Sequence, residues 1–584
     1  MRHCLALALS ACLAAASFAA GHAATPAESA FPGRPHFERR ILNHWDNLDG
    51  TIERGYAGRS LWQWDLLPDS VSPRYEEYAR LISSMGINGT VLNNVNANSR
   101  ILSHEYLPKV AAIADVLRPY GIRVYLSANF AAPMQLDSLP TADPRDKRVA
   151  RWWKRKADEI YKLIPDFGGF LVKANSEGQP GPCDFGRTHA QGANMMARAL
   201  KKHGGIVMWR AFVYSPSDPD RAKQAYAEFK PLDGKFDSNV IVQVKNGPID
   251  FQPREPVSPL LLDMPGTTLM PELQITQEYL GHSNHLAYLA PMWQEFFETA
   301  APDRYNAIAG VANIGDAANF TGHPFGRANL YAFGRMAWDP TLSPDSIADE
   351  WIVRDLGITE PEVKTRVKDI MLRSREAVVD YMMPMGLHHL FAWGHHYGPE
   401  PWCDIPGARP DWMPSYYHRA DSTGIGFDRS PSGSDATAQY PDSPARLYAD
   451  AGTCPENLIL WFHHLPWDYK LKSGDTVWTA LCRHYERGYQ TAQDMLRQWD
   501  SLKPYFESKG KSDLWQDVQR RMHTQVRDAQ WWKEACLLYF ATFHSLPMPD
   551  FVTPAVHTLD ELRQVNLGID NYTCPSPELL NSVR

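Results

Sequence analysis

The sequence predicts an α/β protein, a (β/α)8 barrel followed by a mainly α-helical C-terminal domain. Three observations carry that prediction. Short β-rich apolar runs alternate with helix-spaced stripes up to about residue 360, giving eight strand candidates. Alternating βα units imply a parallel sheet whose faces are covered by helices. Eight such units over roughly 320 residues suit a closed barrel better than an open sheet. Beyond residue 360 the alternation stops and long helical stretches replace it.

The first strand is read at residues 40–45, RILNHW. A helix follows with Tyr78, Leu81, Ile82 and Met85 at i, i+3, i+4 and i+7, stopped by Gly86. The second strand, GTVLN at 89–93, precedes a helix whose stripe is Val110, Ile113 and Leu117. Gly121 leads into the third strand, IRVYL at 122–126. A basic helix then places Trp153, Ala157, Ile160 and Ile164 on one face and ends before Pro165. The remaining strands are FLV at 170–172, IVMW at 206–209, VIVQV at 240–244, a weaker LMPELQI at 269–275, and IAGVA at 308–312. No G-x-G-x-x-G follows the first strand, which argues against a dinucleotide fold. Residues 360–382, 475–502 and 512–544 read as helical, and the Pro-, Gly-, Trp- and His-rich stretch 385–470 between them reads as long loops able to reach over the barrel mouth. The domains are thus set at 25–360 for the barrel and 361–584 for the helical part.

The chain has 584 residues, 44% apolar and 22% charged, with a net charge of −8, which gives no electrostatic footprint for nucleic acid or for a basic membrane patch. Arg2 and His3 precede an apolar run from Cys4 to Ala20, the layout of a secretory signal peptide over residues 1–24. An exported protein, periplasmic or secreted, follows. A lipoprotein box ending at Cys12 is the weaker alternative, since the apolar run continues beyond it. No later stretch is long and apolar enough to span a bilayer. Six cysteines remain, Cys183, Cys403, Cys454, Cys482, Cys536 and Cys574, without CxxC spacing, so a zinc site is unsupported and buried free thiols are expected for most of them.

In a barrel the reactive groups sit at the carboxyl ends of the strands. Strand four runs into Lys173 and, four residues on, Glu177; strand five ends at Arg210; strand six ends at Lys245 and Asp250; strand seven runs into Glu278. Cleaving a glycosidic bond needs a carboxylic acid for the leaving oxygen and a second carboxylate as nucleophile or as base. Glu177, Asp250 and Glu278 supply those groups. The Gly- and Pro-rich loop around Glu177 is expected to hold an acid near a bound sugar, where desolvation would raise its pKa. Lys173, Arg210 and Lys245 are too many cations for a neutral sugar and suit a ligand bearing a carboxylate, which Arg can grip through two parallel hydrogen bonds. Taken alone, each cation at a strand end more often pairs with a neighbouring acid than with a ligand. Convergence from four successive strand ends favours a site, because gathering charges in one place is costly.

At these residues the chain resembles the glycoside hydrolase family 67 α-glucuronidases. The motifs are HWDN (44–47), KANSEGQPGP (173–182), GGIVMWRAFVY (204–214), VQVKNGPIDFQPREP (242–256) and QITQEYLG (274–281), with GIGFDR (424–429) and WFHHLPW (461–467) beyond the barrel. The resemblance implies removal of α-1,2-linked glucuronic acid, or its 4-O-methyl ether, from xylo-oligosaccharides with inversion. It implies Glu177 as general acid, Asp250 and Glu278 as the carboxylates that activate water, and Lys173, Arg210 and Lys245 around the glucuronate carboxylate. Trp45 would belong to the same pocket and Val95 to the space for the 4-O-methyl group. No cofactor or metal is implied, and a homodimer through the C-terminal domain is. Family members usually carry an additional N-terminal β-rich domain; here the first barrel strand follows the leader almost directly, and activity is expected to survive because the catalytic residues lie in the barrel. Two other readings remain at this point: a hydrolase of a different uronic acid glycoside, and a non-catalytic sugar-binding protein.

Overall fold

The computed structural model describes residues 31–567 except 55, 215–217, 277, 313 and 395. The leader, Cys12 and Cys574 lie outside the described residues. Eight strands, β1 (Arg39–Asn43), β2 (Gly89–Val91), β3 (Arg123–Ser127), β4 (Gly169–Val172), β5 (Ile206–Arg210), β6 (Val240–Lys245), β7 (Leu269–Gln274) and β8 (Ala307–Val311), close into one parallel barrel in sequence order. The seam is β1 on β8, with Arg39 opposite Ala307 and Asn43 opposite Val311. Nearly every strand residue is buried, as expected of a parallel sheet covered by helices.

The strand ends differ slightly from the reading of the sequence, and the differences matter. β1 stops at Asn43, so His44 and Trp45 stand beyond its end, where the His44 N–H still bonds to Val91 O at 3.1 Å. β5 and β6 each run one residue further, making Arg210 and Lys245 their last residues. Backbone pairing therefore holds both cations rigidly at the mouth.

Helices follow each strand: α1 (Pro73–Ser83), α2 (Leu107–Leu117), α3 (Lys147–Leu163), α4 (His189–Leu200), α5 (Arg221–Phe229), α6 (Pro259–Leu262), α7 (Ala290–Ala300) and α8 (Gly326–Trp338). Their starts are chemically marked. The Ser72 hydroxyl accepts from Arg74 N at the start of α1, and Thr188 with Gln191 forms a capping box on α4. The apolar stripes face inward as their spacing predicts: Val110, Ile113 and Leu117 of α2, and Trp153, Ala157 and Ile160 of α3, are fully buried.

The C-terminal region is helical. Helix α9 (Pro344–Leu356) leads into α10 (Pro361–Met382), and α11 (Val477–Asp500) and α12 (Ser512–Phe540) pack with α10 as three long helices. Between α10 and α11 the chain forms long loops with short helical turns such as Pro414–His418 and Asp442–Ala449. One continuous apolar core joins this region to the barrel; Phe325, just before α8, meets Trp351 at 5.2 Å and Trp499 at 5.9 Å between ring centroids. Truncating such a buried Trp costs about 3–5 kcal/mol. Among the described residues no helix is long and apolar enough to cross a membrane. The five described cysteines are free thiols, four of them buried and Cys183 exposed.

Candidate active site

The residues singled out from the sequence meet. Trp45, Val95, Lys173 and Glu177 line one cavity of about 450 Å³ at the carboxyl ends of the strands, together with Arg210, Lys245, Asp250 and Glu278. That volume is in the range of a pocket for a small organic ligand. The long loops do reach over the mouth, contributing His389, Phe391, Trp393, His396, Trp412 and Tyr417 to the walls.

Each of the three cations has an acidic partner inside the protein. Arg210, on β5, makes a side-on pair with Glu272 of β7: Nε donates to Oε2 at 2.9 Å and Nη2 to Oε1 at 2.7 Å. Glu272 is fully buried in the barrel, and Gln243 links its Oε2 (2.9 Å) to Asn43 Oδ1 (3.1 Å). The pair occupies one edge of the guanidinium and leaves the end-on edge for a ligand carboxylate. Lys245 Nζ bonds Asp250 Oδ1 at 2.7 Å, and Lys173 Nζ pairs with Glu177. Phe212 sits amid the three, with Lys245 at 3.5 Å, Arg210 at 5.2 Å and Lys173 at 5.9 Å from its ring centroid. The negative face of the ring offsets part of their mutual repulsion.

Asp250 and Glu278 are held from several directions. Asp250 Oδ2 accepts from the Tyr279 hydroxyl at 2.5 Å and Oδ1 from Phe251 N at 2.9 Å, besides Lys245. Burial alone would push the Asp250 carboxyl upward, but Lys245, Tyr279 and His396 outweigh it and hold it well below the usual carboxylate range. Glu278 Oε1 accepts from Arg54 Nε at 2.7 Å and faces His396 Nδ1 at 3.2 Å, while Oε2 accepts from Gln274 Nε2 at 2.7 Å. Burial opposes ionisation here too, and Arg54 and His396 overcome it against the repulsion of Asp250. Both groups are therefore carboxylates at neutral pH and can accept a proton.

The loop carrying Asp250 is wrapped around a third carboxyl. Glu255 accepts from the backbone N–H groups of Ile249 (3.0 Å) and Asp250 (2.9 Å) and faces His388 Nε2 at 3.1 Å. Burial raises its pKa to about 8, with Asp250 adding to the rise and the backbone donors opposing it. Gly247 is required there, because a Cβ would stand 2.2 Å from the Glu255 carboxylate.

Glu177 is built differently. Asn175, Glu177 and Gly178 have φ of 53°, 47° and 77°, a left-handed stretch that non-glycine residues adopt at a cost. The Glu177 side chain is 38% exposed, against 4% for Glu278. The sequence leads us to expect desolvation to raise its pKa once a sugar is bound. The ligand-free site does the opposite: desolvation does favour the neutral acid, but the ammonium of Lys173, reinforced by Lys245, outweighs it and holds Glu177 below the ordinary value.

Several residues of the site were not found from the sequence. Arg54 and His396 reach Glu278 from 224 and 118 residues away, Glu272 is hidden in a strand, and Glu53 and Asn96 brace Lys173. Asn96 Oδ1 accepts from Lys173 Nζ at 2.7 Å, and Asn96 Nδ2 donates to Glu53 Oε2 at 3.2 Å. A further titratable group lies outside the mouth, where ligand atoms of Cys183, His189 and Glu228 fall within 4.8 Å of one another. His189 Nδ1 accepts from Trp209 Nε1 at 3.1 Å, so Nε2 carries the ring proton and donates it to Glu228 Oε1 at 2.6 Å. Its lone pair is thus not available to a cation, and the group is a structural tie between α4, α5 and β5.

A parallel barrel with carboxylates and cations gathered at the carboxyl ends of its strands defines the class of protein. The particular family follows from comparison: the model of the glycosyl hydrolase family 67 middle domain matches residues 22–335 and that of the family's C-terminus matches residues 321–552. The chain belongs to glycosyl hydrolase family 67. It is 42% identical over 530 residues to "Probable alpha-glucuronidase A" of Aspergillus clavatus, covering 86% of this chain and 62% of that protein. To "Alpha-glucuronidase A" of Emericella nidulans it is 40% identical over 555 residues, 89% of this chain and 64% of that protein. The chain thus spans somewhat less than two thirds of the length of these curated relatives. Among solved structures, a GH138 enzyme targeting pectin rhamnogalacturonan II superposes with a TM-score of 0.49 at 13% identity, over 87% of this chain and 59% of that one.

Proposed function

We propose that the protein is an exported, inverting α-glucuronidase that removes α-1,2-linked glucuronic acid, or its 4-O-methyl ether, from xylo-oligosaccharides. One observation carries the reading: the three carboxylates and three cations singled out from the sequence line a single cavity whose rim bears aromatic rings. The carboxylates suit glycoside cleavage and the cations suit an acidic sugar. In this reading Glu177 protonates the leaving xylose oxygen, and Asp250 with Glu278 takes a proton from the attacking water. Arg210 through its end-on edge, with Lys173 and Lys245, holds the uronate. Trp45 contributes to the wall of the same pocket, and Val95 lines the 4-O-methyl space. Trp393 and Trp412, 39% and 40% exposed with ring centroids 6.1 Å apart, offer faces to the xylose end. The names of the fungal relatives agree with this activity.

Hydrolysis of aldobiouronic and aldotriouronic acids, followed by proton NMR, tests bond, substrate and stereochemistry together. Initial release of β-glucuronic acid is expected. Release of the α anomer would overturn inversion, and no release would overturn the activity. Equal rates across a panel of pectin- and glycosaminoglycan-derived uronosides would favour a broader uronosidase. The homodimer implied by the family resemblance is part of the same proposal and is checked by sedimentation equilibrium.

A further inference from the structure

A general acid must carry a proton when it acts, yet Glu177 in the ligand-free site is ion-paired to Lys173. The two partners are unequally anchored. The Lys173 side chain is 1% exposed, its ammonium is fixed on Asn96 Oδ1 at 2.7 Å, and Asn96 is fixed in turn on Glu53. Glu177 is 38% exposed and stands on a left-handed turn next to Gly178, beside which lies open space. If the pair separates, Glu177 is the member that moves. Lys173 is also one of the cations that, on the function proposed above, receive the glucuronate carboxylate.

Resting on that reading, we propose that the substrate's carboxylate displaces Glu177 from Lys173, and that the released Glu177 takes up the proton it then gives to the leaving oxygen. Lys173 is then a specificity-determining residue twice over: it binds the uronate, and by exchanging partners it makes the acid. The cations facing Glu177 all act in the same direction. Lys173 of its own loop and Lys245 of β6 hold it ionised, and Arg210 of β5 adds to the positive field; a bound carboxylate neutralises that field, while Asp250 already opposes ionisation. The Tyr214 hydroxyl, also near Glu177, is held protonated by burial and contributes no charge. A neutral glycoside in the same cavity would leave the ion pair intact and the acid without its proton.

The protons balance over a turnover. Glu177 takes one from solvent on binding. It passes to the leaving oxygen as the C1–O bond breaks with its electron pair on that oxygen. Water bonds to C1 and gives a proton to the base side, which returns it to solvent. When glucuronate leaves, Glu177 pairs with Lys173 again.

The test is proton uptake on binding, measured by calorimetry of D-glucuronic acid at about pH 7 in buffers of different ionisation enthalpy. The wild-type protein is expected to take up about one proton per glucuronate bound, and Glu177→Gln none, while still binding. Glucuronate bound without uptake, or with the same uptake in Glu177→Gln, overturns the exchange and leaves the glucuronidase reading standing. No binding to the wild type withdraws both. The pH profile provides a second readout, since kcat/KM reports the free enzyme and kcat the complex. The alkaline limb of kcat should lie about three pH units or more above that of kcat/KM, and Lys173→Met should bring the limbs together. Coincident limbs in the wild type would count against the proposal.

Discussion

The proposed acid side and the proposed base side of the cavity are made in opposite ways. Glu177 stands on a strained, partly exposed loop, and among the described residues none of the hydrogen bonds of 173–182 reaches the C-terminal region. Glu278 is buried and Asp250 half-buried, and the C-terminal region clamps the segments that carry them. Arg375 donates to Pro253 O at 2.9 Å, and the backbone N–H of His389 to Gln252 Oε1 at 3.1 Å. Past Glu278, Gln525 of α12 takes both the N–H and the carbonyl of Leu286, and Asp528 meets His285 Nε2 at 2.8 Å. A carboxyl that must exchange its proton is left room to change partners. Carboxylates that must stay ionised and aim a water are fixed.

The largest expected effect separates the two sides by leaving group. Asp250→Asn and Glu278→Gln should each lower kcat by about 10³–10⁴-fold on xylo-oligosaccharides and on activated aryl glucuronides alike, because water must be activated in either case. Glu177→Gln should lose about 10²–10³-fold on xylo-oligosaccharides and far less on an aryl glucuronide whose leaving group needs no proton. Equal losses on both substrates would erase the distinction.

Next comes the clamp. Asp528→Ala removes a buried partner of His285 and should cost about 2 kcal/mol in urea unfolding, with about a tenfold fall in kcat as the Glu278 segment shifts. Stability lost with kcat unchanged would show that the clamp does not aim Glu278. Glu272→Gln, which keeps the shape but loosens the hold on Arg210, should raise KM for uronides about tenfold with a smaller change in kcat, and Glu272→Asp should restore part of it. The smallest effect concerns pH. The Glu255 carboxyl is raised to about 8 in the folded protein, so its contribution is fully present at low pH and lost as pH rises through about 8. Thermal stability of the wild type should therefore fall between about pH 5 and 8 and lose no more from this group above that, and Glu255→Gln should flatten that decline.

The barrel was legible because strands buried on both faces are apolar runs and the intervening helices have clean stripes, such as Trp153–Ala157–Ile160. β7 was the faint one for a physical reason: Pro271, Glu272 and Gln274 dilute its apolar run, and Glu272 is tolerated inside only through its pair with Arg210. The same pair explains what spacing could not reveal about Arg210, whose side-on edge faces a strand two positions around the barrel. The mouth residues were legible because strand ends converge by topology. Arg54, His396 and Glu255 were not, since they act through contacts between loops that no periodicity records. The His-rich stretch 388–396 was the nearest thing to a signal. The lowered pKa of Glu177 in the ligand-free site was not legible because it depends on Lys173, four residues earlier, meeting it across the loop.

The shared apolar core has a consequence for how such a chain can be recombined. A barrel whose base-side segments are clamped by α10 and α12, and whose aromatic residues interlock with Trp499, is not a cassette that can be lifted out or grafted onto another C-terminal half. A viable chimera between relatives would have to exchange both halves together, or place its crossover where few such contacts are cut. Residues 173–182, which among the described residues have no hydrogen bond to the C-terminal region, are the segment of the mouth most open to exchange by itself.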